Sequence, residues 1–248
     1  MAMTGKVRQR IVANLSKFQK LLQKAKDQDI NESDTSKIIT DMLSYLFGYD
    51  KYNEVTAEYS IRGTYCDLAI KMKDKVRLLV ECKAIGIELK DSYIKQAVDY
   101  AANYGLEWVV LTNGVRWQIY HIIFAKPIDK ELIADIDFLN LKAKQTEDLE
   151  MLYLLTKEGL VSSAIEEYYE KCQAVNKYTI AAVIQSDPIV SAIRRELRSF
   201  SKGIKVSTDD IERLLTSEVL KREVVEEDKA IEVRKRLSRS LARQAKSD

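Results

Sequence analysis

The amino-acid sequence predicts a mixed α/β core followed by an all-helical C-terminal region. Five short segments of strand composition lie between about residues 54 and 124, and a helical pattern at about 88–104 separates the third segment from the fourth. After about residue 129 the strand signals vanish and only helical patterns follow. Because a helix connects the third and fourth strands, we expect at least one parallel strand pair within a mixed sheet.

Length and composition are those of an ordinary globular protein. The chain has 248 residues, 46% of them hydrophobic and 31% charged, with only 8 glycines and 2 prolines. Apolar runs fall short of a membrane span, and the basic N-terminus has no apolar segment after it, so we predict neither a signal peptide nor a membrane partner. The three cysteines have no CxxC spacing, which indicates reduced thiols in a cytoplasmic protein.

The single histidine, His121, excludes several classes of function. One histidine cannot build a multi-His zinc site, a Cys/His zinc finger or an HEXXH protease. The sequence also lacks GxxxxGK[ST] and GxGxxG, so a built-in nucleotide-hydrolysing motor is not expected. Any catalysis must therefore depend on carboxylates, lysines and a metal ion.

Residues 1–30 are predicted to contain a basic amphipathic helix. Residues 1–26 carry seven Lys and Arg and no acidic residue. The apolar residues recur at helical spacing: Val7, Ile11, Leu15, Phe18 and Leu22. The stretch is either a solvated surface or a phosphate-binding face, and the sequence leaves both open.

Residues 31–126 are predicted to form the α/β core. Asn31 to Thr35 read as a helix cap, and the helix that follows ends at Gly48. The strands are expected at about 54–61, 64–72, 75–83, 107–112 and 115–124. Thr112-Asn113-Gly114 is a strong hairpin signal between the last two strands.

Residues 127–248 are predicted to be helical and to end in a basic tail. Helices are expected at Leu149–Leu155, Ser163–Ala174, Thr179–Gln185, Pro188–Phe200 and Thr208–Leu220. The tail carries five basic residues that are candidates for nucleic-acid binding: Arg234, Lys235, Arg236, Arg239 and Arg243. A solvated surface is the alternative here too.

The chemistry-bearing residues lie on the second and third predicted strands. Side chains alternate along a strand, so Asp67 points away from the apolar face that holds Cys66 and Leu68. By the same rule Glu81 and Lys83 project together, opposite Val80 and Cys82. Two carboxylates bind a hard divalent cation through oxygen, and a neighbouring lysine can orient a water molecule. The alternative is a surface hairpin that happens to be charged.

These residues resemble the PD-(D/E)xK nuclease superfamily, and more closely the N-terminal nuclease domain of type I restriction enzyme R subunits. Asp67 matches the metal-binding aspartate, and Glu81-Cys82-Lys83 matches the D/E-x-K element. Gln96 and Tyr100 match a Q-x-x-x-Y element, and Thr112–Trp117 resembles the "TNG…W" hairpin. The resemblance implies a restriction-endonuclease-like core, an αβββαββ arrangement with a mixed sheet flanked by helices.

The resemblance also implies roles for individual residues. Asp67 and Glu81 would hold Mg²⁺ or Mn²⁺, with the backbone carbonyl of Cys82 as a further ligand. Lys83 would position the attacking water, and Glu32 would reach the metal through water. Gln96 and Tyr100, four residues apart on one helix face, would line the edge of the site; a plain helix-packing pair is the alternative.

The implied function is Mg²⁺-dependent hydrolysis of DNA phosphodiester bonds in restriction or defence. R subunits carry helicase motors, whereas this chain has no P-loop, so we expect a stand-alone version that works with a separate motor or specificity subunit. A homodimer is also compatible with the sequence. The competing hypothesis is a non-catalytic nucleic-acid-binding or scaffold module with a vestigial nuclease core.

Overall fold

The computed structural model describes residues 3–61, 64–200 and 205–244. The chain divides into two compact units, Met1–Glu167 and Tyr168–Asp248. The predicted division at residues 30 and 126 was drawn from sequence patterns alone and stays a prediction.

A six-stranded mixed sheet forms the centre of the first unit. Its strands are β1 (Val55–Ile61), β2 (Thr64–Met72), β3 (Lys75–Cys82), β4 (Trp108–Thr112), β5 (Arg116–Ile123) and β6 (Asp129–Asp137). They lie side by side in sequence order. Only β3 and β4 run parallel, with Leu79 opposite Val109, and the other neighbours are antiparallel. The predicted parallel pair is confirmed, because the helical crossover between these strands returns the chain in the same direction.

The helices of the first unit cover both faces of the sheet. They are α1 (Gly5–Asp27), α2 (Glu32–Asp41), α3 (Asp91–Tyr104), α4 (Thr146–Tyr153) and α5 (Lys157–Val161), with a π-helical turn at Met42–Leu46 and a 3-10 turn at Phe138–Asn140. On one face, Ile94 and Ala97 of α3 pack with Leu79 and Val109. On the other face, the Phe47 ring meets Trp117 edge-on at 5.2 Å between centroids.

The predicted N-terminal helix is confirmed, and its apolar stripe is buried. Val7, Ile11, Leu15, Phe18 and Leu22 are each at most 2% exposed. At its C-terminal end the helix meets the hairpin between β4 and β5. Gly114 has φ +82° in that turn, and a Cβ there would lie 2.9 Å from the Leu22 side chain. The turn therefore requires glycine for both its backbone conformation and its close approach to α1.

The prediction that strand signals end near residue 129 is wrong, because β6 pairs with β5 from Asp129 to Asp137. As an edge strand it buries only Ala134 and Ile136 fully and carries charged residues along most of its length. Charged residues on an edge strand discourage pairing with other chains, and they also mask the alternation by which a strand is recognised.

After β6 the described residues form helices only, as predicted. Beyond α5 these are α6 (Ala164–Ala174), α7 (Lys177–Ile184), α8 (Asp187–Phe200), α9 (Thr208–Leu214), α10 (Arg222–Glu226) and α11 (Asp228–Gln244), with a π-helical turn at Leu215–Val219. A small cluster of Val190, Ile211 and Leu215 lies inside the second unit. None of the described helices combines the length and the apolar character that crossing a membrane requires.

Candidate active site

Asp67 lies where β2 and β3 stop pairing through their backbones. The ladder runs as far as Leu68 opposite Val80. One step further, the backbone N–H of Cys82 donates to Oδ2 of Asp67 at 2.7 Å. The aspartate side chain thus takes the place of a strand partner at the end of the sheet. Cys82 is fully buried, so this carboxylate also satisfies an N–H that has lost water.

Glu81 and Lys83 are fixed by β3 and by its parallel neighbour. The backbone N–H of Lys83 donates to the Thr112 carbonyl at 2.8 Å and continues the β3–β4 pairing. Its Nζ lies 2.8 Å from Oε1 of Glu81, and the two side chains are only 16% and 12% exposed. This pair is therefore held in a site with little access to water.

Glu32 approaches the same lysine from α2. Its Oε2 lies 3.8 Å from the Lys83 Nζ, and its side chain is 52% exposed. Asn31 caps the helix by accepting from the backbone N–H of Asp34, which makes Glu32 the first residue of the helix. The structure thus brings together Glu32, Glu81 and Lys83, and the Cys82 backbone joins Asp67 to them.

Two residues that sequence reasoning did not select hold the loop that follows Lys83. The Thr35 hydroxyl accepts from the backbone N–H of Ile85 at 3.1 Å. The Asn113 side-chain amide donates to the carbonyls of Ile85 and Ile87 at 3.3 and 2.9 Å. Both residues are buried. The hairpin signal at Asn113 indicated a turn but gave no sign that its side chain supports the site.

The electrostatics of the site reflect burial of like charges. Burial raises the pKa of Glu81; the hydrogen bond from Lys83 opposes this, and the negative charges of Asp67 and Glu32 add to it. Burial alone would lower the pKa of Lys83, but its hydrogen bond to Glu81 and the charges of Glu81, Asp67 and Glu32 give a net rise. Without a cation, therefore, Lys83 stays an ammonium and is a hydrogen-bond donor.

The thiols next to these carboxylates do not fit a metal site. Burial raises the pKa of Cys66 to about 12 and raises that of Cys82 as well. A thiol binds metal as the thiolate, which both positions disfavour. Of Cys82, then, only the backbone carbonyl is suited to a hard cation.

The carboxylates do fit a hard divalent cation. Oδ2 of Asp67 accepts from Cys82 and Oε1 of Glu81 accepts from Lys83, so each carboxylate keeps a second oxygen free of hydrogen bonds from the described residues. Burial and the Asp67 charge both oppose ionisation of Glu81, and a bound cation would offset both. In the described part of the chain no group of three or more His, Cys, Asp or Glu side chains is arranged to hold a metal ion. Mg²⁺ needs fewer, since it usually keeps several waters.

Gln96 and Tyr100 share one face of α3, as predicted. The Gln96 amide donates to the Tyr100 hydroxyl at 2.6 Å and to the Tyr65 carbonyl at 3.4 Å. With Ser92, Lys95 and Asp99 they line an open groove along the helix. Tyr93, one turn earlier, has its ring 6.0 Å from the Lys83 Nζ, so α3 borders the lysine.

The basic residues near the C-terminus belong to α11 in the second unit. Arg234 donates to the Val225 carbonyl at 2.5 Å, and Arg236 donates to the Gln173 carbonyl at 3.2 Å. Lys235 is exposed. The side chains of Arg239 and Arg243 lie outside the part of the chain that the structure describes. Nucleic-acid binding by this group stays a prediction.

Residues 31–136 match the family model of the type I restriction enzyme R protein N terminus. The resemblance to the N-terminal domain of type I restriction enzyme R subunits is thereby confirmed. The match to the R protein N terminus begins at the cap of α2 and ends within β6, so it contains Glu32, Asp67, Glu81 and Lys83. Neither the curated proteins nor the solved structures give a match.

Proposed function

We propose that the protein is a Mg²⁺-dependent DNA endonuclease of the PD-(D/E)xK type that acts in restriction or defence. The main support for this proposal is that Asp67, Glu81 and Lys83 lie together at the end of the β2–β3 ladder. Burying charged groups is costly, and a bound cation would offset that cost for two neighbouring carboxylates. The family match adds kinship with a restriction enzyme, and the strand order with its parallel β3–β4 pair supports a restriction-endonuclease-like core.

Asp67, Glu81 and the backbone carbonyl of Cys82 would hold Mg²⁺ or Mn²⁺. The bound ion supplies charge for the transition state and lowers the pKa of a coordinated water. The free oxygens of the two carboxylates suit this task, because the hydrogen bonds on their other oxygens fix their orientation.

Lys83 keeps its proton beside Glu81, so its role is to orient the attacking water and to stabilise negative charge on the phosphate. Glu32 is exposed at the mouth of the site and would hold a second water from the side of α2. Gln96 and Tyr100 fix each other along the groove and would contact the substrate backbone.

DNA is the proposed substrate, and a separate motor or specificity subunit is the proposed partner. Both follow from the family of the matched segment, since the R protein is one subunit of a type I restriction enzyme. A homodimer is a further arrangement that would let two sites cut both strands.

The test joins calorimetric titration of Mn²⁺ and Mg²⁺ with a plasmid-cleavage assay, on wild type and on Asp67→Ala. The proposal expects metal binding and nicking or linearisation by wild type, both lost in the variant. Cleavage that survives in Asp67→Ala contradicts the assigned site. Metal binding that depends on Asp67 without cleavage of either DNA or RNA points to the requirement for a partner, and the assay is then repeated with the motor subunit added.

The second candidate function is a nucleic-acid-binding or scaffold module with a vestigial core. The observation in its favour is that Lys83 already forms an ion pair with Glu81 at 2.8 Å, so this carboxylate is paired within the protein itself. It predicts DNA binding with no metal uptake at all, which the same titration detects.

A further inference from the structure

Four lysines form a row along the solvent face of α1, here called the lysine row: Lys6, Lys17, Lys20 and Lys24. Arg10 and Ala13 occupy the gap between Lys6 and Lys17. Successive positions of the line are then alternately four and three residues apart, and this spacing keeps them on one face of an α-helix. All four lysines are exposed. Lys6 and Lys24 lie about 27 Å apart along the axis at the usual rise of about 1.5 Å per residue.

The charge of the lysine row is not neutralised within the described part of the protein. No acidic residue precedes Asp27 in α1, and no described carboxylate forms an ion pair with any of the four lysines. Other lysines of the same unit are paired, among them Lys37, Lys51, Lys130 and Lys157. Arg10 is the exception within the line, since its guanidinium turns to Glu158 at 2.6 Å.

An exposed aromatic ring adjoins the middle of the lysine row. The Lys17 Nζ lies 5.5 Å from the centroid of the Tyr45 ring, and Tyr45 is 58% exposed. The ring holds the ammonium group beside it and leaves it in solvent, where it is available to an anionic partner.

The end of the lysine row leads to the candidate active site. After Lys24 the helix ends at Asp27, and the chain turns through a bond from the Ile30 N–H to the Ala25 carbonyl. Two residues later it reaches Glu32, whose carboxylate lies 3.8 Å from the Lys83 Nζ. The row and the carboxylate–lysine cluster belong to the same unit.

We propose that the lysine row binds the phosphate backbone of duplex DNA and guides it to the site formed by Asp67, Glu81 and Lys83. The inference rests on the proposed nuclease function and adds a binding surface to it. A length of about 27 Å corresponds to about eight base pairs at 3.4 Å of rise per phosphate on one strand. The contact is through charge and does not read sequence.

An anionic membrane is the other partner that a basic amphipathic helix can have. Such a helix binds by placing its apolar face among the lipids. In α1 that face is the core of the unit, with Ile11 and Leu22 fully buried, so insertion would require the unit to open. The structure therefore favours a partner bound by charge alone.

The test is the salt dependence of DNA binding, measured by fluorescence anisotropy with EDTA present so that no cleavage occurs. Lys17, Lys20 and Lys24 are replaced together by Gln. Each lost phosphate contact lowers the slope of log K against log salt by about 0.9, so the triple variant should lose about 2.7. Between about 50 and about 200 mM salt, the ratio of the wild-type to the variant binding constant should then fall about 40-fold.

A matched control removes the same charge elsewhere. Lys73, Lys75 and Arg77 are exposed at the β2–β3 turn, at the opposite end of those strands from Asp67 and Glu81, and are replaced by Gln in the same way. The control should keep the wild-type slope. The proposal is overturned if the lysine-row variant keeps that slope or if the control loses as much.

A membrane partner and the nuclease activity are each tested by a separate measurement. Vesicles of phosphatidylcholine and phosphatidylserine test the membrane: binding that needs the lysine row, together with unchanged DNA binding, overturns the proposal. Plasmid cleavage tests the nuclease. If the triple variant has a lowered slope while the wild type neither binds Mn²⁺ nor cleaves, the lysine row stands as a DNA-binding surface and the nuclease function fails. If the wild type cleaves and the slope is unchanged, the nuclease function stands and the lysine-row proposal fails.

Discussion

Asp67 is expected to serve both the fold and the chemistry, and two substitutions separate these tasks. Its Oδ2 accepts the buried N–H of Cys82 at 2.7 Å, while Oδ1 is the oxygen available for a metal. Asp67→Ala removes both. Asp67→Asn keeps an oxygen for the N–H but removes the charge and replaces one oxygen with a donor.

The magnitudes follow from the burial of Cys82. An N–H that loses its partner inside a protein costs about 1–3 kcal/mol, so Asp67→Ala should lower the free energy of unfolding by that amount. For a chain of this length the melting temperature should fall by about 2–12 °C. Asp67→Asn should cost less than about 1 kcal/mol, because the hydrogen bond is kept and the repulsion of Glu81 is relieved.

Both variants should lose metal binding and cleavage, although their stabilities differ. Thermal unfolding followed by circular dichroism in EDTA gives the stabilities, and calorimetric Mn²⁺ titration with plasmid nicking gives the function. Wild type and a Glu147→Ala variant, with an exposed carboxylate on α4, are the controls. Equal destabilisation by Asn and Ala would refute the structural role, and nicking by Asp67→Asn at the wild-type rate would refute the metal role.

Three other perturbations have defined outcomes. Lys83→Met should lower the cleavage rate by on the order of 10²–10³ and leave Mn²⁺ binding intact, measured by single-turnover kinetics; loss of Mn²⁺ binding would instead make Lys83 a support for the carboxylates. Burial lowers the pKa of His121 from its ordinary value of 6.5, so the unfolded chain binds the proton more tightly. The contribution of His121 to the free energy of unfolding should therefore be complete above about pH 6.5 and decrease below it. Urea unfolding at several pH values should show this decrease for the wild type and a smaller one for His121→Gln. Arg10→Met leaves the Leu46 carbonyl without its side-chain donor, while the Phe47 carbonyl keeps the Lys157 N–H; the variant should cost about 1–3 kcal/mol in urea unfolding, whereas a cost below about 0.5 kcal/mol would mean that water replaces the guanidinium.

Local patterns predicted much of this fold because its elements are locally consistent. Alternation along β2 and β3 was sufficient to place the Asp67 side chain on the other face of the sheet from Cys66, and to put Glu81 and Lys83 on one face. The helix between β3 and β4 was sufficient to predict their parallel pairing. β6 escaped prediction because Lys130, Glu131 and Asp135 interrupt the apolar alternation of an edge strand.

Contacts between distant parts of the chain could not be predicted from pattern alone. Thr35 accepts from an N–H fifty residues away, and Asn113 donates to a carbonyl twenty-eight residues away. Nothing in the neighbourhood of either residue marks it as a support for the loop after Lys83. Glu32 entered the sequence prediction through the family resemblance, since only the folded chain brings α2 to the end of β3.

The position of the site follows from the way the sheet ends. β3 is bound on one side to β4 in a parallel register that continues to the Lys83 N–H, so the Glu81–Lys83 segment cannot move with β2. On its other side the pairing with β2 stops at Leu68, and the Asp67 side chain takes over as partner of the Cys82 N–H. This break in the ladder brings a carboxylate of one strand next to the carboxylate of the other. The same interaction that satisfies the buried backbone therefore also sets the spacing of the two proposed metal ligands, which is why the Asn and Ala variants of Asp67 should differ in stability but agree in function.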